Sequence, residues 1–133
     1  MFFVVKRATL LIPSGAQVDP HRKHLFVCLT NPHGVNQEIL LVSVSSYRVG
    51  VSTDMTCRLF AGDHSFITHD SVIDYASARV EPSDKLVKGV NLGLFVAKEP
   101  LDSAIFARVC YGLTQSRFVA PKFLRFYEHA TGH

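Results

Sequence analysis

The stretch Gly62-Asp-His-Ser-Phe-Ile-Thr-His-Asp-Ser-Val-Ile-Asp-Tyr-Ala-Ser-Ala-Arg-Val80 carries two patterns back to back. Its first half gathers His64, His69, Asp63, Asp70, Ser65 and Ser71, side chains that hold or move protons. Its second half, Val72 to Val80, alternates in the manner of a strand. A polar loop delivered into a rigid β element is where a small barrel presents a site, because scaffolds position functional loops. An ordinary solvated loop has the same composition, so the flanking segments must decide.

Working outward, further short strands are predicted on both sides. Met55 to Ala61 alternates, with Thr56, Arg58 and Phe60 on one face and Cys57 and Leu59 on the other. Glu38 to Ser45 and His24 to Thr30 are apolar, β-branched runs, the latter closed by Asn31-Pro32-His33-Gly34. Ala8 to Ile12 is another, ending at Pro13-Ser14-Gly15, and Leu92 to Lys98 supplies a last one. Short strands at this spacing predict an all-β barrel. After Glu81-Pro82, Ser83-Asp84 reads as the cap of one helical turn stopped by Gly89. Pro100 opens a helix whose stripe is Leu101, Ile105, Val109 and Leu113, and Pro121 begins a final helix.

Length and composition bound the remainder. A chain of 133 residues is one domain, the barrel over about 6–98 and helices over about 100–129. Such a chain buries roughly two-thirds of its unfolded surface without a staple. The three cysteines are widely spaced in apolar runs with no CxxC, which reads as free thiols in a reducing, cytoplasmic setting. The opening Met1-Phe-Phe-Val-Val-Lys-Arg7 has its charges after its apolar residues, unlike a signal peptide. No apolar run reaches the ~20 residues of a membrane helix, so no membrane partner is expected. A net charge of +3 suits contact with a polyanion but is far from a basic nucleic-acid arm.

The order of elements resembles the MazF/PemK/Kid toxins, small SH3-like barrels with helical additions. Lys6-Arg7 before a short strand is similar to the family's opening. A buried strand follows a polar, basic loop, and a third strand closes on hydroxyls at Ser45-Ser46. Asp70-Ser71-Val72-Ile73, then Arg79-Val80-Glu81, resemble the family's later strand and its exit. The likeness spans roughly residues 6–88 and is one of pattern and order. It implies a mainly β, SH3-like barrel with C-terminal α-helices and a homodimer. It also implies a toxin-like endoribonuclease that cuts single-stranded RNA without metal or other cofactor, held in check by an antitoxin protein. The family's hydroxyl falls on Ser45 or Ser46 and its basic position on Lys23, beside Arg22. Lys23-His24 stands where the family has Arg-Pro, and a lysine is a point charge where arginine is a planar fork. That departure favours the alternative, a non-catalytic SH3-like barrel that binds protein or nucleic acid.

RNA cleavage by 2′-hydroxyl attack needs a base, an acid and positive charge on the phosphorane. Histidine serves the first two roles near neutrality. The expectation is that His21 or His24 meets His64 or His69 across one cleft, with Ser45 or Ser46 between them. Arg22, Lys23, Arg48 and Arg79 are the candidate RNA-binding cations. The competing reading makes these histidines solvated loop residues or strand caps. His21-x-x-His24 and His64-x4-His69 lack the partner spacing of structural zinc, so no metal is expected.

Overall fold

The computed structural model describes residues 2–13, 23–47, 49 and 53–132. Six antiparallel strands form one sheet curled into a half-barrel, accompanied by three helices. In chain order these are β1 Thr9–Pro13, β2 Lys23–Cys28, β3 Glu38–Ser46, β4 Arg58–Leu59, β5 Ser71–Pro82, α1 Ser83–Asn91, β6 Val96–Lys98, α2 Ser103–Gln115 and α3 Pro121–Thr131. Across the sheet the order is β4-β5-β3-β2-β1-β6. The mainly β architecture with C-terminal helices is the one expected from the strand spacing.

Alternation splits the strands between two cores. Leu25, Val27, Leu40, Val42, Val44, Ile73 and Tyr75 face one cluster, completed by Val109 and Leu113 of α2. Phe26, Cys28, Ile39, Leu41, Leu10 and Ile12 face the other, completed by Leu86 of α1. Both faces are covered, which is why β3 reads as a nearly continuous apolar run rather than a half-polar one. The β3–β5 ladder shifts register, with the three residues from Leu41 to Ser43 opposing the six from Arg79 to Asp74. A bulge of this kind bends the sheet and re-aims its end.

Several boundaries differ from the sequence-based expectation. The Met55–Ala61 strand shrinks to two paired residues, Arg58 and Leu59, because β4 meets only Val72 and Ser71 of β5. Helix α1 runs through Gly89 instead of stopping there, and its N-cap position is Pro82, with no side-chain capping bond. Gly89 is needed for a different reason: a Cβ there would strike the Phe95 ring, and its carbonyl accepts from Leu94 and Phe95. Helix α2 begins after Asp102, whose carboxylate accepts from the Ala104 and Ile105 amides at 3.0 and 3.2 Å. A carboxylate cap outweighs the preference of Pro100 for the first turn.

Candidate functional site

Three chain segments converge at one end of the sheet. Phe26 lies opposite Ser43 in the β2–β3 ladder, so the start of β2 and the end of β3 arrive there together. Ser45 pairs with Val72 and Ser46 with Ser71, which brings in the start of β5 and the loop before it. Between them opens a cleft of about 680 Å³ lined by Lys23, His24, Ser45, Ser46 and His69, with Phe66 and Thr68 on its loop side. Five of the six residues expected to carry catalysis therefore share one hollow. At its centre, Ser46 Oγ lies 2.7 Å from His69 Nε2. The other imidazole nitrogen, Nδ1, has Thr68 Oγ1 at 3.4 Å.

The loop is held by its own bonds. Gly62 takes φ +94°, a conformation open to glycine, and its amide donates to the Ile67 carbonyl at 3.0 Å. Ile67 is buried in the core and pins the loop from beneath. Beyond it, Ser71 Oγ donates to the His69 carbonyl at 3.0 Å, and the Tyr47 amide donates to the Asp70 carbonyl at 3.0 Å. His69 is exposed on a backbone fixed from both sides.

His64, expected beside His69, lies elsewhere. Its ring is buried, and its Nδ1 accepts from the Phe66 amide at 3.1 Å. That places the proton on Nε2, which points at the Glu99 carbonyl at 2.9 Å. Thr9 Oγ1 donates to the same carbonyl at 2.6 Å and sits 3.1 Å from the imidazole. The Glu99 carboxylate receives Ser65 Oγ at 2.7 Å and the Ser65 amide at 3.2 Å. The Ser65 hydroxyl bond holds the Glu99 carboxyl below the usual carboxylate range. His64 therefore anchors the loop to the segment after β6, and the competing structural reading applies to it. Loop histidines look alike in sequence, and only packing against Thr9 distinguishes this one.

Arg79 is also remote from the cleft. It lies opposite Leu41, five residues before Ser46 on β3, roughly 17 Å along a strand. Its guanidinium covers the Phe26 ring at 4.5 Å, with Nε 3.6 Å from Glu81. His21, Arg22 and Arg48 lie outside the described residues. Sequence reasoning passed over Arg58, whose guanidinium lies between the Tyr47 and Phe60 rings at 5.2 and 5.3 Å and meets Asp70 at 3.4 Å. The alternation of Thr56, Arg58 and Phe60 was its one signal. Phe66, exposed in the cleft wall, was hidden in a loop chosen for its polar residues.

Among the described residues, no group of three or more His, Cys, Asp or Glu side chains is arranged to hold a metal ion. The three cysteines are free. Burial pushes the Cys28 thiol up to about 12, so this group is a protonated core residue. No described helix is long and apolar enough to cross a membrane. Compared with protein-family models, curated proteins and solved structures, the chain shows no match.

In chemical terms, the cleft offers an imidazole hydrogen-bonded to a hydroxyl, a second imidazole and an ammonium group. No carboxylate orients His69 Nδ1 among the described residues, so the Ser–His pair lacks the third member of a hydrolase triad. The set suits proton transfer around a phosphate better than acyl transfer through Ser46.

Proposed function

We propose that the protein is a toxin-like, metal-independent endoribonuclease acting on single-stranded RNA in the Lys23–His69 cleft. The observation that carries this reading is the meeting of Ser46 and His69 at 2.7 Å in a hollow also lined by Lys23 and His24. His69 takes the proton of a ribose 2′-hydroxyl, whose oxygen attacks the adjacent phosphorus. Lys23 stabilises the negative charge that grows on the phosphorane. His24, as imidazolium, gives its proton to the departing 5′-oxygen as that P–O bond breaks, leaving a 2′,3′-cyclic phosphate. Ser46 orients His69 and donates to a phosphate oxygen, and Ser45 stands beside it. The resemblance to the MazF/PemK/Kid pattern adds a cytoplasmic homodimer and an antitoxin whose acidic segment covers the cleft.

A second reading is favoured by one observation, that β2 opens on Lys23-His24 where the family it resembles has Arg-Pro, a point charge in place of a planar fork. On that reading the same cleft binds nucleic acid or protein without cutting it. One experiment separates the two: incubation with single-stranded RNA, with and without EDTA. Cleavage that survives EDTA and is lost in Lys23→Ala and His69→Ala supports the nuclease. Intact RNA together with salt-sensitive binding leaves the binding module.

A further inference from the structure

Ser45 and Ser46 form a wall shared by two hollows. On the far side from Lys23 lies a second one, of about 340 Å³, whose lining includes Asp54, Asp74 and the exposed Phe118 ring. Its character is opposite to that of the first. Among the described residues it is lined by two carboxylates and no basic side chain, and no cation there forms an ion pair with either carboxylate. A phosphate is repelled from such a place, whereas a nucleobase amino group is attracted.

The hollow is also built. Asp54 accepts from the Thr56 amide at 3.0 Å and from Ser116 Oγ at 2.7 Å, and Ser116 Oγ in turn receives the Phe118 amide at 3.1 Å. This chain of bonds fixes the backbone that presents Phe118, so the exposed ring is held ready. Asp74, half-buried on β5, takes Ser77 Oγ on one oxygen at 2.6 Å and keeps acceptor capacity toward the hollow.

We propose that this second hollow is a nucleobase subsite, in which a base bearing an exocyclic amino group stacks on Phe118 and donates to Asp74. The inference rests on the RNA reading of the neighbouring cleft and specifies its substrate: the backbone crosses at Ser45–Ser46, phosphate toward Lys23 and base toward Asp74. Cytosine and uracil stack alike but differ at position 4, where cytosine donates and uracil accepts, so this pair isolates the hydrogen bond.

The test is fluorescence anisotropy with labelled oligocytidine and oligouridine, 2′-O-methylated so that neither is cleaved. The expected result is about tenfold tighter binding of oligocytidine, with the preference abolished in Asp74→Asn. Phe118→Ala, an exposed change that leaves the core intact, weakens both oligonucleotides by about tenfold through lost stacking. Equal affinities in the unmodified protein, or a preference that survives Asp74→Asn, overturn the subsite while leaving the cleft reading in place. Failure of both oligonucleotides to bind overturns the RNA reading, and the subsite with it.

Discussion

Ser46 and His69 stand 23 positions apart in sequence, and their side chains meet at 2.7 Å. The contact follows from the β3–β5 register, which sets Ser46 opposite Ser71 and leaves His69 two residues upstream on a loop that folds back over the strand end. Neither residue packs into a core, so the pair contributes little to folding. Its effect lies in the chemistry of the cleft.

Replacing His69 by Ala should lower RNA cleavage by about 10²–10⁴-fold, the usual worth of a general base. Ser46→Ala should cost less, and the double variant should lose no more than His69→Ala alone, because the two side chains act as a unit. Thermal midpoints should stay close to that of the unmodified protein. Additive losses in the double variant would show that the two residues work separately.

His64→Ala should behave in the opposite way. It strands the Phe66 amide and empties a buried position next to Thr9, with an expected loss of about 2–3 kcal/mol in urea denaturation. The catalytic pH profile of the remaining folded protein should be unchanged. A His64 variant as stable as the parent would remove the anchoring role.

Acid should loosen the same anchor through Glu99. The Ser65 bonds hold its folded pKa below the ordinary 4.5. The unfolded chain therefore takes up the proton first as pH falls. The stabilisation is complete above about 4.5 and disappears as pH drops through the depressed folded value. Stability measured from pH 6 to pH 3 should fall less in Glu99→Gln than in the parent. Parallel curves would refute the linkage.

At alkaline pH the thiols govern. Cys28 is held protonated by burial up to about 12, and Cys57 and Cys110 are shifted in the same direction. Unfolded thiols ionise near 9.0, so stability should decline as pH rises past that value toward the folded one. In the folded state at pH 8, a disulfide reagent should reach half-buried Cys110 first and Cys28 only on unfolding. Rapid labelling of Cys28 without denaturant would contradict its place in the core.

Gly112→Ala tests the seat of α2. A Cβ at Gly112 would collide with the Tyr75 hydroxyl, which donates to the Val109 carbonyl at 2.7 Å. Overpacking of this sort should cost about 1–3 kcal/mol. Pairing it with Tyr75→Phe, which removes the colliding oxygen, should recover part of the loss.

Hydrophobic periodicity by itself determined the strand and helix succession, the mainly β class and the thiol character of the buried cysteines. These are properties of local alternation and of which side chains avoid water. The polar loops offered His24, His64 and His69 as candidates, whereas Lys23, Ser45 and Ser46 came from the resemblance in element order. Only the tertiary structure separated His69 from His64, two loop histidines five residues apart, one meeting Ser46 and the other buried against Thr9 and Glu99. It alone removed Arg79 from the cleft and brought Arg58 near it, since strand register and the β5 bulge are set by long-range pairing. A strand's sequence tells which face each residue occupies. Which end of the sheet it reaches, and what it finds there, depends on partners far along the chain.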